Sequence, residues 1–145
     1  MSDTRTFRMT TGRRIGNRAI RTLIRLGLVP NTYLLTVRGR KTGKPFSNPV
    51  TIVEADGRSW LVAPYGAVGW VRNARASKQV TLTRRGHARS YTLREVSSDE
   101  AGPILKRYVS LAKITRPYFR AQFDAPPAEF AAEADDHPVF ELTTT

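Results

Sequence analysis

Apolar and polar positions alternate in six short stretches of the chain, and this alternation predicts six β-strands. The first stretch, Thr32 to Arg38, places Leu35 and Val37 on one face. The dipeptides Asp56-Gly57 and Gly86-His87 separate consecutive stretches and are typical of hairpin turns. The other predicted strands are 46–55, 59–64, 79–84, 88–96 and 139–143.

Four further segments have the 3.6-residue period of helices. Ser97 and Glu100 form the Ser-x-x-Glu pattern of a capping box, which predicts that one of these helices begins there. The elements do not alternate as strand and helix, so we expect a mainly β, α+β domain: an antiparallel barrel of about six strands with attached helices. The predicted helices are Arg13–Leu28, Val68–Ala76, Ser97 to about Leu111, and a proline-interrupted segment from Pro117 to Ala134.

The first predicted helix, Arg13–Leu28, is amphipathic and basic. Its arginines at 14, 18, 21 and 25 are three or four residues apart, which places them on one face opposite an apolar face. Two interpretations are open. The helix packs on the domain with a solvated basic face, or it lies on an anionic membrane surface. We therefore divide the chain into this N-terminal segment, 1–30, and a barrel domain, 31–145.

Positive charge is concentrated in the first third of the chain. The net charge is +12, and residues 1–48 contain 11 Lys and Arg but a single acid. Such an asymmetry indicates an anionic partner, which could be a nucleic acid, a lipid surface or a phosphorylated small molecule. Exposed aromatic residues suited to stacking nucleic-acid bases are sparse in this third, so we regard nucleic acid as the weakest of the three.

The remaining composition restricts location and chemistry. The chain has no cysteine, which excludes disulfides, thiolate catalysis and cysteine-based zinc sites. It contains no apolar stretch of about 20 residues and no signal-peptide pattern, so we expect a cytoplasmic protein, peripheral to the inner face of the membrane if the first helix binds lipid.

Side chains suited to acid–base, nucleophilic or metal chemistry are not clustered in the sequence. His87 and His137 lie far apart, and we expect both at the surface and no metal site. The acidic pairs Glu54/Asp56 and Asp135/Asp136 are expected to be exposed. If the protein is an enzyme, a cofactor therefore performs the difficult step.

A basic turn follows the first strand. Arg40, Lys41 and Lys44 lie in it, and Gly39 and Gly43 permit close approach of a ligand to the backbone. Cationic side chains and exposed amides are suited to phosphate. A solvated, purely structural turn is the alternative.

Three segments together resemble the deazaflavin-dependent, nitroreductase-like and quinone reductase family. Residues 39–49 match the pattern G-R-K-[ST]-G-x-P-x-x-x-P, residues 60–66 are similar to the family's third strand and following loop, and residues 70–76 are similar to its W-x-x-N-x-x-A helix. Phe46 stands where many members carry arginine, and Asn48 where they carry threonine. The resemblance implies a split β-barrel and the deazaflavin coenzyme F-420 as cofactor.

The resemblance also implies roles for individual residues. The basic turn would meet the phosphate and acidic tail of the cofactor, the second strand would run beside it, the loop after the third strand would line the ring, and the following helix would close the site. Tyr118 would lie on the substrate side and supply or orient a proton. The implied cofactor-binding residues are Arg40, Lys41, Thr42, Ser47, Asn48, Pro49, Val50, Thr51, Ala63, Pro64, Tyr65, Gly66, Gly69, Trp70, Val71, Arg72 and Asn73.

Three functions are therefore compared. The first is an oxidoreductase that transfers hydride from reduced deazaflavin to an activated alkene, quinone, nitro group or unsaturated lipid-like substrate. The second is an FMN-binding split-barrel protein, and the third is a non-enzymatic basic module that binds membrane or nucleic acid. Split barrels often pair through their sheets, so a homodimer is also expected.

Overall fold

The computed structural model describes residues 31–145. The predicted helix Arg13–Leu28 and the segment 1–30 lie outside the described residues. Six strands and three α-helices follow in chain order. The strands are β1 Thr32–Arg38, β2 Pro45–Ala55, β3 Arg58–Val62, β4 Gln79–Arg84, β5 His87–Glu95 and β6 Val139–Thr144, and the helices are α1 Gly69–Ser77, α2 Ser98–Leu111 and α3 Pro127–Ala131.

The six strands form one closed barrel in the order β1-β2-β3-β6-β5-β4. Every neighbouring pair is antiparallel, including the β1–β4 and β3–β6 pairs that close the barrel. The antiparallel six-stranded barrel with attached helices expected from the sequence is confirmed.

The barrel separates two hydrophobic cores. One lies inside it, where alternate strand residues such as Leu35, Leu61 and Phe140 meet, and where α1 contributes Val71 and Ala74. The other lies outside, between the outer face of β2, β3 and β6 and the helices that follow β5. Because β2, β3 and β6 are buried on both faces, they contain consecutive apolar residues instead of a strict alternation.

Helix α2 covers the outer face of these strands. Its first turn is capped by Ser97, whose hydroxyl accepts a hydrogen bond from the Glu100 N–H at 3.3 Å. The Glu100 carboxylate does not complete the box but accepts a hydrogen bond from Arg94 at 2.8 Å. A Cβ on Gly102 would lie 2.6 Å from the Pro127 carbonyl oxygen, so this glycine lets α2 and α3 pack closely.

The segment predicted as one proline-interrupted helix, Pro117–Ala134, is mostly irregular. A 3-10 helix at Lys113–Tyr118 is followed by a stretch of bends and turns, by α3 with only five residues, and by a second 3-10 helix at Ala134–Asp136. Prolines at 117, 126 and 127 remove backbone donors and fix φ, which explains why one continuous helix does not form.

Candidate active site

The basic turn between β1 and β2 is held by its own backbone. The Gly39 N–H donates to the Lys44 carbonyl at 2.7 Å, and the Gly43 N–H donates to the Gly39 carbonyl at 2.9 Å. Gly43 has φ of 73°, where an L side chain is strained. A Cβ on Gly39 would lie 2.7 Å from the Phe46 ring. The two glycines thus shape the turn, while the side chains of Arg40, Lys41 and Thr42 remain exposed.

Asn73 links this turn to α1. Its Oδ1 accepts hydrogen bonds from the Arg40 backbone N–H at 3.0 Å and from Arg40 Nη1 at 2.8 Å. Asn73 is buried although it is polar, and its partner lies 33 positions away in the sequence. Asn73 therefore orients the main cation of the turn. Its role is to position Arg40, which the resemblance alone did not specify.

Among residues 31–145, no acidic side chain forms an ion pair with the cations of the turn, Arg40, Lys41 and Lys44. The nearby N-terminus of α1 adds positive potential, because Val68 provides no side-chain cap and the first turn has no acid. Both features suit an anionic group.

A cleft of about 150 Å³ lies outside the barrel between β2, the end of β3, α1 and the C-terminal end of α2. It brings together six of the implied residues, which come from three separate segments: Pro49, Val50, Thr51, Pro64, Tyr65 and Trp70. Thr32, Val62, Tyr108, Ala112, Ile114 and Thr115 complete the lining. The mixture of aromatic, aliphatic and hydroxyl side chains is typical of a pocket for a flat organic ring.

Other implied residues lie around the cleft without lining it. Ala63 and Val71 are buried in the core inside the barrel. Ser47 is on the same strand face as Pro49 and Thr51, since strand side chains alternate, and its Oγ lies 2.9 Å from Thr36 Oγ1.

Four more implied residues lie on β2, on α1 or in the loop after β3 without lining the cleft. Asn48 is half-buried on β2 and Gly66 has φ of 84° in the loop after β3. Gly69 and Arg72 are exposed on α1.

Six cleft residues were not predicted from the sequence, and among them Tyr108 carries a phenol. It lies on the apolar face of α2, where it looks like an ordinary core residue. Burial raises the pKa of the Tyr108 phenol, the nearby Tyr65 raises it further, and a hydrogen bond with Thr115 opposes these effects. Tyr108 therefore presents a neutral hydroxyl at neutral pH. A hydroxyl in an otherwise apolar helix face was the one signal available in the sequence.

Tyr118 does not line the cleft. Its ring packs edge-on against Tyr65, with centroids 4.7 Å apart and an angle of 73° between the planes. Tyr118 thus lies behind a cleft residue, where it supports the Tyr65 ring.

The prediction that His137 lies at the surface is wrong. His137 is only 3% exposed, and both of its ring nitrogens have partners: the Pro64 carbonyl at 2.8 Å from Nδ1 and Glu133 Oε1 at 2.8 Å from Nε2. His87, in contrast, is exposed, as are Glu54, Asp56 and the pair Asp135/Asp136. Within the part of the chain that the structure describes, no group of three or more His, Asp or Glu side chains could hold a metal ion.

The residues present fit a cofactor with a ring and an anionic tail. β2 begins at the basic turn and runs to the cleft, and Ser47, Pro49 and Thr51 share one face along it. The four residue steps from Ser47 to Thr51 span about 14 Å at the usual rise of a strand. The exposed cations of the turn at one end match the anionic tail of the cofactor, and the aromatic cleft at the other end matches its ring.

Comparison with known proteins points to one family. Residues 4–122 match the model of the family described as F420H(2)-dependent quinone reductase. The fold is similar to that of a solved F420-H2 dependent reductase named FDR-A, with 26% identity, a TM-score of 0.55, and 79% of this chain and 95% of that chain covered. None of the curated protein sequences matches the chain.

Two more distant structures share the fold alone. A protein of unknown function from Agrobacterium tumefaciens has 16% identity and a TM-score of 0.58, with 87% of this chain and 54% of that chain covered. A structure described as a domain-swapped dimer has 19% identity and a TM-score of 0.55, with 92% of this chain and 100% of that chain covered.

Proposed function

Because the chain belongs to the F420H(2)-dependent quinone reductase family, we propose that it reduces a quinone, or a similarly flat and lipophilic acceptor, with hydride from the reduced deazaflavin coenzyme F-420. Membership makes the protein an oxidoreductase that uses coenzyme F-420. This favours the first of the three functions over the FMN-binding and the non-enzymatic alternatives. The acceptor and the residues that bind it are the subject of the proposal.

The basic turn holds the anionic tail of the cofactor in this proposal. Arg40 is oriented by Asn73, and Lys41 lies beside it in the exposed turn. Charged donors form the stronger class of hydrogen bonds to phosphate and carboxylate, and the backbone amides at the start of α1 add to them. Thr42 and Ser47 offer hydroxyls between the turn and the cleft.

The deazaflavin ring and the acceptor meet at the cleft. When bound, the reduced cofactor supplies a hydride, which carries two electrons, to the acceptor. The chain's residues orient the two molecules and exclude water: Pro49 and Val50 form one wall, and Pro64, Tyr65 and Trp70 form another. The proton that must follow comes from one of the two tyrosines that line the cleft, Tyr65 or Tyr108. Tyr118 packs against the ring of Tyr65 and holds it in place.

The apolar rim of the cleft is the observation that favours a lipophilic acceptor. Ile114 lines the cleft and is 83% exposed, so an apolar surface continues from the interior of the site to its mouth. An isoprenoid or acyl tail attached to a flat ring would follow that surface. A small polar acceptor would gain nothing from it.

Steady-state kinetics test this proposal. Reduced deazaflavin is mixed with a long-tailed quinone, a tailless quinone and a nitroaromatic, and its oxidation is followed. We expect the long-tailed quinone to have the highest kcat/KM. We expect Ile114→Ser to raise its KM about 5-fold, because burial of an aliphatic side chain is lost. Ala88→Ser, at an exposed residue on β5 that does not line the cleft, is the control. Oxidation of reduced deazaflavin by the nitroaromatic alone would contradict the quinone assignment.

A basic and apolar surface around this mouth favours contact with an anionic membrane. Residues 101–123 contain five Lys and Arg and no acid. The exposed fractions of Leu111, Ile114 and Phe123 are 42%, 83% and 54%, and the Arg116 guanidinium lies 4.5 Å from the Phe123 ring centroid. We call Leu111, Lys113, Ile114, Arg116 and Phe123 the C-terminal rim. Near an anionic bilayer each cation contributes roughly 1 kcal/mol.

Co-sedimentation with anionic and neutral vesicles tests the membrane contact. We expect binding to anionic vesicles that the double variant Ile114→Asp/Phe123→Asp abolishes, while Ala88→Asp/Thr143→Asp, two equal charges on exposed strand positions, preserves most of it. Replacing the four arginines at 14, 18, 21 and 25 by glutamine separates the contribution of the predicted N-terminal helix. Absence of binding at low salt would contradict both surfaces. Among residues 31–145 there is no helix long and apolar enough to span a bilayer.

A homodimer also remains a proposal. One structure with the same fold is described as a domain-swapped dimer, although it shares only 19% identity with this chain. Sedimentation equilibrium of the full chain gives the oligomeric state directly.

A further inference from the structure

Two ionisable residues, Glu133 and His137, are buried together behind the cleft. Each is 3% exposed, and His137 Nε2 lies 2.8 Å from Glu133 Oε1. The imidazole stacks on the Phe119 ring, with centroids 3.9 Å apart. The interaction is therefore fixed on all sides by packing, unlike an exposed ion pair.

The hydrogen bonds show how this pair is held. The Pro64 carbonyl 2.8 Å from Nδ1 can only accept, so Nδ1 donates to it. Glu133 Oε1 accepts the Arg120 N–H at 3.0 Å, and Oε2 accepts the Ala121 N–H at 2.8 Å. Each carboxyl oxygen of Glu133 therefore has a backbone donor, and each ring nitrogen of His137 has a fixed partner.

The pair connects two segments that meet at the cleft. Through Nδ1, His137 holds the carbonyl of Pro64, and Pro64 and Tyr65 are cleft residues. Through its carboxylate, Glu133 holds the backbone that follows Tyr118, whose ring packs against Tyr65. Both supports of the Tyr65 ring thus depend on the same buried pair. The neighbouring charged pair, Arg120 and Asp136 at 2.9 Å, is exposed and is not hydrogen-bonded to the imidazole.

We propose that Glu133 and His137 are positioning residues of the reductase, which fix the Pro64–Tyr65 wall against which the deazaflavin ring and its acceptor bind. The proposal rests on the proposed function of this cleft. A buried ion pair is weak evidence for stability, since well-packed apolar residues often replace one without loss. The Glu133 carboxyl group, in contrast, binds two backbone amides of the segment after Tyr118 and the His137 ring, and that ring binds the Pro64 carbonyl. A link of this kind between two segments fixes the geometry that a hydride transfer requires.

The hydrogen bond from His137 Nδ1 to Pro64 is tested without substrate or cofactor. The chain has two histidines, so nitrogen-15 NMR of the full chain gives two imidazole signals, and His87→Gln identifies the exposed one. We expect a proton on His137 Nδ1 that exchanges slowly with solvent, because the ring is buried and this nitrogen is bonded to a carbonyl. An Nδ1 without a proton, or one whose proton exchanges as fast as that of His87, would overturn the assignment.

The positioning role is tested with His137→Gln and Glu133→Gln, with His87→Gln as the control. We expect kcat per folded molecule to fall at least 10-fold, the order of loss expected for a misplaced reacting group, with KM for the acceptor changed about 2-fold or less. We also expect the nuclear Overhauser contacts between the Tyr65 and Tyr118 rings to weaken. Unchanged kcat and unchanged ring contacts in both variants would refute the role.

The contacts between the Tyr65 and Tyr118 rings allow the positioning role to be tested independently of quinone reduction. If the wild type does not reduce quinones, the function fails, and the Tyr65–Tyr118 contacts together with deazaflavin affinity still report on positioning. If a variant does not fold, the exchange rate of the His137 Nδ1 proton in the wild type still tests the link to Pro64.

Discussion

At the scale of single residues, the adjacent cations of the basic turn lead to a prediction on cofactor binding. Replacing Arg40 and Lys41 together with alanine should weaken binding of oxidised deazaflavin at least about 100-fold, because hydrogen bonds from charged groups contribute roughly 1.5–3 kcal/mol each and two are lost. Titration followed by ligand fluorescence measures the change. The control, Arg89→Ala/Arg107→Ala, removes two exposed cations outside the turn. Equal affinity of the two double variants would exclude a specific role for the turn.

Sequence reasoning recognised residues of this site by type and order, but could not see what holds them. The Gly-Arg-Lys-Thr-Gly turn is local, so its glycines and charges are visible in the sequence. The bond from Arg40 to Asn73 spans 33 positions and that from His137 to Pro64 spans 73, so no local pattern reveals either. His137 was expected at the surface because it lies far from His87 in the sequence and just before a strand, whereas its ring turns inward to two buried partners.

At the scale of elements, contact between α2 and α3 depends on Gly102. A Cβ there would lie 2.6 Å from a backbone oxygen, which cannot move as a flexible side chain would. We expect Gly102→Ala to lower the free energy of unfolding by about 1–3 kcal/mol, the usual cost of overpacking. Gly69→Ala is the matched control, since a Cβ on Gly69 meets nothing within 4 Å. Chemical denaturation of both variants checks the difference, and equal stabilities would show that α3 moves freely.

Four elements are joined by ion pairs around Glu141. Its carboxylate accepts hydrogen bonds from Arg58 on β3 at 2.6 Å and from Arg94 on β5 at 2.7 Å, and Arg94 also binds Glu100 on α2. The bond from Arg58, and then that from Arg94, lower the pKa of Glu141 from 4.5 to about 2.

This network predicts a pH-dependent effect of Glu141→Gln. A carboxyl with a lowered pKa in the folded state stabilises the protein above its unfolded pKa, and the stabilisation is lost as the pH falls. The wild type should therefore have a higher melting temperature than the Glu141→Gln variant at neutral pH. The difference should shrink as the pH falls from 4.5 towards about 2. Melting curves across this range measure it, and a difference independent of pH would contradict the role of the charge.

Helices and strands were predicted accurately where neighbouring residues in the sequence determine their conformation. The strands and the start of α2 are set by alternation and by Ser97, and they were predicted to within one or two residues. The segment after α2 was predicted as helix because its apolar residues recur at helical spacing. Its conformation instead follows from prolines and from the Glu133 carboxylate, which binds two backbone amides in the middle of the segment.

At the scale of the whole molecule, six antiparallel strands in hairpins were sufficient to predict a barrel. The closing pairs were not predictable, because β1–β4 and β3–β6 join strands that lie far apart in the chain. Closure requires enough strand twist and a consistent register, which only the assembled side chains set. The position of the cleft outside the barrel follows from the same packing, since α2 covers one half of the outer surface.

The burial of β2, β3 and β6 on both faces divides the molecule by rigidity. Amide protons of Val53, Leu61 and Phe140, each no more than 2% exposed, should exchange with deuterium only through global opening. The solvent-facing strands β4 and β5 should exchange sooner. The end of β3, where the buried Val62 lines the cleft, thus belongs to the slowly exchanging part of the barrel, so this side of the proposed ring site is already ordered before any ligand binds.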